Sequence, residues 1–87
     1  MNLREACDGV LALVLADKQP LLRDLVGPYV AVIRAYHSDP IGRKTNAVAR
    51  LNEAIIDRWS HTALEKVKRE AWKRIDEERT RAQKAAP

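Results

Sequence analysis

Apolar residues recur along this chain at helical spacing. Leu3, Cys7, Val10, Leu11 and Val14 fall at i, i+4, i+7, i+8 and i+11, one face of an amphipathic helix. Leu13 and Leu15 widen that face, which predicts burial on more than one side. Asn2 followed by Glu5 gives a capping-box-like start. Pro20 forces a boundary downstream, so this helix is expected over 3–17. A second apolar set, Leu21, Leu22, Leu25, Val26, Tyr29, Ile33 and Tyr36, predicts a helix over 20–37. Gly27-Pro28 lies inside it. Pro28 lacks an amide donor and clashes with the carbonyl of Asp24, so a kink or a restart is expected there.

Asp39-Pro40 reads as the N-cap and first residue of a third helix, with Thr45 as a second candidate cap because Gly42 weakens the earlier start. Beyond it Val48, Leu51, Ile55 and Trp59 form a stripe, and Leu64, Val67, Ala71 and Ile75 repeat its spacings. At about 100° per residue, Val48 and Leu64 would be offset by about 160° in one straight helix. A small core cannot receive both stripes from such a helix. A break is therefore expected between Ile56 and Thr62, with Ser60 capping a new helix. This gives helices over 40–59 and 61–84, with the tail 82–87 fraying. The expected fold class is all-α: one domain, 1–87, built as a small bundle of four helices, the last two forming a helix-turn-helix-like pair.

Composition narrows the function classes. With 87 residues, no Phe and three Gly, the core must be aliphatic and a deep enzyme pocket has no room. The single Cys7 excludes an internal disulfide and an all-cysteine metal site, and its place on the apolar face makes it a small hydrophobe. His37 and His61 lie too far apart to suggest zinc. Glu53 and Asp57 share a helix face, but no second acidic pair completes a cation site. Ser60 and His61 are adjacent and point about 100° apart, so they do not form a nucleophile–base pair. No Gly-rich phosphate loop is present. The chain is expected to be non-enzymatic, with no cofactor, metal or small-molecule substrate. No secretory signal is readable and the run Val10 to Leu15 is too short to span a bilayer, so a cytoplasmic location without membrane contact is expected.

Charge is divided unevenly. Residues 1–40 hold 4 Lys+Arg and 5 Asp+Glu, a net of −1, while residues 41–87 hold 12 and 7, a net of +5. The first part reads as an apolar packing or dimerisation half, and 41–81 as a basic helical pair that meets a polyanion. Five opposite-charge i, i+4 pairs temper this reading: Glu65–Arg69, Lys66–Glu70, Glu70–Arg74, Lys73–Glu77 and Glu77–Arg81. Such pairs also serve a plain solvated helix, each contributing about 0.2–0.5 kcal/mol.

The stretch Ala47-Val48-Ala49-Arg50-Leu51-Asn52-Glu53, then Arg58-Trp59-Ser60-His61-Thr62-Ala63-Leu64, then Lys66 to Trp72, resembles the helix-turn-helix segment of serine recombinase DNA-binding domains. There an alanine-containing helix ends in Leu-Asn and a Trp-Ser pair caps the next helix. The family's longer Gly- and Thr-containing connection is absent, Glu53 to Arg58 reading as continued helix. The resemblance therefore implies two helices at a steep angle and DNA contact, and carries no recombination activity with it.

The leading expectation is a small DNA-binding or accessory protein. Arg43, Arg50, Lys66, Arg69 and Lys73 are the candidate phosphate contacts, and Asn46 the candidate base-edge reader, most simply on double-stranded DNA. A homodimer is expected, with Leu13, Leu15 or Tyr29 in its interface. Trp59 should be a core hinge, and Trp72 a half-exposed interface anchor. The competing reading is an oligomeric adaptor that uses the apolar helices and Trp72 and binds no nucleic acid.

Overall fold

The computed structural model describes residues 2–16 and 21–85, with side chains to Gln83. Its helices are α1 Leu3–Val14, α2 Val26–Ser38, α3 Ala47–Arg58 and α4 His61–Ala85. Short 3₁₀ turns, Leu22–Leu25 and Gly42–Lys44, lead into α2 and α3, and no strand occurs among the described residues.

Asn2 opens α1 with a reciprocal cap. Its Oδ1 accepts the Glu5 amide at 2.8 Å, while Glu5 Oε1 accepts the Asn2 amide at 3.4 Å. Leu3, Ala6, Cys7, Val10 and Val14 are buried. Leu13 and Leu15 are not, being 36% and 66% exposed, so α1 buries one stripe rather than several sides. Leu13 is rotated about 100° from Val14, and the helix ends before Leu15 can continue its turn. The helix stops at Val14; Asp17 and Pro20, where its end and the next start were expected, lie outside the described residues.

At Gly27-Pro28 the chain restarts. The 3₁₀ turn delivers it into α2 at Val26, and Pro28 falls in the first turn, where an amide has no intrahelical acceptor to lose.

The third helix begins at Ala47, well after Pro40. Asp39 is engaged differently from an N-cap of α3. Its Oδ1 accepts the Gly42 amide at 3.0 Å and its Oδ2 accepts the Leu3 amide at 3.1 Å, across the fold. The carboxylate thus satisfies an orphan donor at the start of α1. Gly42 is buried against this contact, and a Cβ there would lie 2.9 Å from Leu3 Cβ. Thr45 turns the chain onward, its hydroxyl donating to the Gly42 carbonyl at 2.6 Å.

The offset stripes are resolved by a break. Trp59 and Ser60 join α3 to α4, and Ser60 Oγ accepts the Ala63 amide at 3.1 Å as an N-cap. Leu51 and Ile55 from α3 then enter the same core as Leu64, Val67, Ala71 and Ile75 from α4. The main packed pairs are α1 with α2, α1 with α3, α2 with α4 and α3 with α4, so the helices form a ring around the core. Each fully buried aliphatic side chain at its centre, Leu3, Val10, Leu51 and Ile55 among them, contributes about 1.5–3 kcal/mol relative to exposure. Helix α4 is the longest, 25 residues, and reaches Ala85; residues 86–87 of the expected tail lie outside the described residues. Its last core residue is Ile75; farther on, Glu78 pairs with Arg34 of α2.

Among the described residues the buried side chains are aliphatic apart from Tyr29 and Cys7, so every charged side chain described lies at or near the surface. No described helix is long and apolar enough to cross a membrane.

Candidate nucleic-acid interface

The six residues expected to meet nucleic acid go to different places. Asn46 and Arg50 line a cleft of about 330 Å³ between α3 and α1, beside Arg4 and Asp8. Lys66 lines another cleft, with Arg23, Glu70 and Arg74, where α4 meets the first 3₁₀ turn and α2. Arg69 and Lys73 flank Trp72 on the outward side of α4. Arg43 stands in the turn before α3. Lys66, Arg69 and Lys73, at i, i+3 and i+7, share one side of α4, whereas Asn46 and Arg50 turn toward α1 and do not join them. The reason is the ring arrangement: α3 lies between α1 and α4, so a side chain turned toward α1 is turned away from α4. The remaining exposed positions of α3 include Glu53 and Asp57.

A different constellation forms where the end of α2 meets α4. The Arg43 guanidinium lies 5.4 Å from the centroid of the Tyr36 ring. Tyr36 meets His37 edge-to-face at 5.9 Å, and His37 meets Trp72 at 5.8 Å and 70°. The result is a continuous cation–aromatic run from the α2–α3 connection across to α4. Tyr36 is 43% exposed and Trp72 40%, so both rings reach solvent. A groove of about 340 Å³, lined by Tyr36, His37, Val48, Lys68 and Trp72 among others, borders the run. Arg69 and Lys73 border Trp72 on its other side. Arg43 at one end of the run and Trp72, with Arg69 and Lys73 beside it, at the other are thus linked through Tyr36 and His37, which spacing alone did not select, as it did not select Lys68 in the groove. Tyr36 shares the i, i+7 register of Tyr29 and reads as core, yet the stripe runs past the core before reaching it.

The ion pairs also differ from expectation. None of the five i, i+4 pairs on α4 closes to 4 Å. The described pairs are Arg34–Glu78, between helices, and Lys68–Glu65 at 3.9 Å. Arg69 and Lys73 accordingly hold no carboxylate within that distance among the described residues.

Tyr29, expected in an interface, is 3% exposed within the chain's own core. Its hydroxyl donates to Asn52 Oδ1 at 2.9 Å, linking α2 to α3. Burial, with Cys7 and Glu65 adding to it, pushes its pKa up to about 12. Cys7 is buried, which raises its thiol pKa and leaves it little thiolate. Trp59 is half-buried against the core, with the Arg58 guanidinium 5.8 Å from its ring. Leu13 and Leu15 are exposed, as is Leu21. Among the described residues no three His, Cys, Asp or Glu side chains group as metal ligands, Glu53 and Asp57 included.

No family model, no curated protein and no solved structure matches this chain.

Proposed function

We propose that the protein is a non-enzymatic nucleic-acid-binding module whose contact face is the outward side of α4 with the adjoining end of α2. The observation that carries this is the run Arg43–Tyr36–His37–Trp72, edged by Arg69 and Lys73. Cations on such a face neutralise phosphates, and exposed aromatic rings supply base-tolerant contact area. The charge layout supports the same reading, since residues 41–87 hold the net positive charge. The resemblance of residues 47–72 to a recombinase helix-turn-helix segment agrees in direction, with α3 and α4 as the helical pair. Asn46 and Arg50 then lie off the contact face and are second-rank candidates.

The test is binding of DNA, as strand and as duplex, at two salt concentrations. Wild-type affinity should fall steeply with salt. Reversing Arg69 and Lys73 to Glu should abolish binding while helicity and melting stay near wild type, because neither residue touches the Leu64–Ile75 stripe. Salt-insensitive binding, or unchanged binding by the double reversal, would sink the proposal.

A specific observation favours a second, compatible reading, self-association. Leu13, Leu15 and Leu21 expose apolar surface at the end of α1 and before α2. We propose a homodimer through this region. Light scattering should give a dimer mass for wild type and a monomer for Leu15→Glu; a wild-type monomer at high protein concentration would rule it out.

A further inference from the structure

We infer that the ligand of the Trp72 face is an unpaired polynucleotide strand, held by base stacking on Trp72 and Tyr36 as well as by phosphate contacts. This inference rests on the nucleic-acid reading above and goes beyond it in naming the form of the nucleic acid.

Three observations point the same way. First, the face presents rings. Tyr36 and Trp72 are 43% and 40% exposed, and each meets His37 in an edge-to-face contact. Bases inside a duplex are already stacked and offer only their edges in the grooves, whereas unpaired bases present whole π-faces. Second, the groups suited to groove readout are elsewhere or already engaged. Asn46 and Arg50 line the α1–α3 cleft, and Asn52, which lines the groove beside Trp72, has its Oδ1 engaged by the Tyr29 hydroxyl. Third, the cations are placed for a backbone that passes the rings. Arg69 and Lys73 lie on one side of Trp72, on a surface that continues through Asp76, Glu77 and Arg81; on the other, the groove of about 340 Å³ carries Lys68 at its wall. Arg43 over Tyr36 adds a planar cation on which a base can itself stack. Lys68 is tied to Glu65 at 3.9 Å, which leaves Arg43, Arg69 and Lys73 as the principal phosphate partners.

The experiment titrates the full chain with an oligothymidylate and an oligouridylate of about a dozen nucleotides, and with a mixed-sequence DNA duplex of about twenty base pairs. The expected result is tighter binding of a strand than of the duplex, the two strands reporting which sugar the face accepts. Trp72→Ala should weaken strand binding by about tenfold, in line with the loss of one stacked base. Trp72→Leu, which keeps apolar bulk against His37, should weaken it equally, while Trp72→Phe should remain close to wild type. Circular dichroism on each variant verifies that α4 is intact. Duplex binding as tight as strand binding, or wild-type affinity in Trp72→Leu, would overturn the stacking inference and leave phosphate-driven binding standing. Binding of neither strand nor duplex at low salt would overturn both.

Discussion

The carboxylate of Asp39 accepts the backbone N–H of Leu3 at 3.1 Å, thirty-six residues away in sequence. One side chain between α2 and α3 therefore closes the N-terminus of α1. The same carboxylate accepts the Gly42 amide, and these two bonds, Gly42 first, hold its pKa below the ordinary 3.8. A depressed folded-state value means the unfolded chain takes up its proton first as pH falls. The contribution is thus complete above pH 3.8 and disappears as pH drops through the folded-state value. Melting temperature followed from neutral pH into this acid range should fall for wild type. Asp39→Asn should melt lower at neutral pH and lose part of that acid dependence; an unchanged acid limb would show that other carboxylates govern it.

The alkaline side turns on Tyr29. Its folded-state pKa of about 12 lies above the ordinary 10.0, chiefly through burial. The stabilisation is present below pH 10 and lost as pH rises through the interval to about 12. Tyr29→Phe removes the Asn52 hydrogen bond, costing about 0.5–1.5 kcal/mol at neutral pH. It should also flatten the stability loss between those two values. Urea unfolding at a series of alkaline pH values measures both effects.

Ser60 caps α4 through the Ala63 amide. Ser60→Ala should cost about 1 kcal/mol, or about 4–8 °C in melting temperature for a domain this size. Ser60→Asp should restore most of it, since aspartate is an equally good cap. Equal losses in both variants would mean the hydroxyl does something other than capping.

Leu51 and Leu15 separate core from surface. Leu51 is 0% exposed and Leu15 66%. Leu51→Ala should destabilise by about 2–5 kcal/mol, a large share of the roughly 5–15 kcal/mol that holds a domain together. Leu15→Ala should stay within about 0.5 kcal/mol in the monomer. Denaturant titrations of the two variants at low protein concentration give the comparison.

Local signals in the sequence were sufficient where the determining interaction is itself local. The reciprocal cap of Asn2 and Glu5, the cap at Ser60 and the break demanded by the Val48 and Leu64 stripes each involve neighbours within a turn or a helix. Of the two starts the sequence offers for α3, the one near Thr45 is close and the one at Pro40 is not, because Asp39 accepts from the Gly42 amide and from Leu3, a partner that no periodicity reveals. Tyr29 and Tyr36 show the same limit from another side. They share a helical register, yet one meets Asn52 inside the core and the other lies beyond the core at the end of α2. The candidate face was half legible for this reason: Arg69, Trp72 and Lys73 share one side of one helix, whereas their association with Tyr36, His37 and Arg43 exists only once α2 and α4 are docked.

The ring order of the helices has a consequence for how the chain is made. Neighbours in sequence, α1 with α2 and α3 with α4, form two hairpins, and the contacts between hairpins are α1 with α3 and α2 with α4. A ribosome releases the first hairpin while its apolar side, Leu3, Val10, Val14 and Ile33, still lacks Leu51, Ile55, Leu64 and Val67. Each hairpin is the other's missing half of a core, and their opposite net charges, −1 for residues 1–40 and +5 for 41–87, draw them together. Cut in the connection between α2 and α3, the two pieces should be poorly helical apart and recover helicity when mixed, as read by circular dichroism. A first piece that folds fully by itself would instead make the second half a rider on a finished domain.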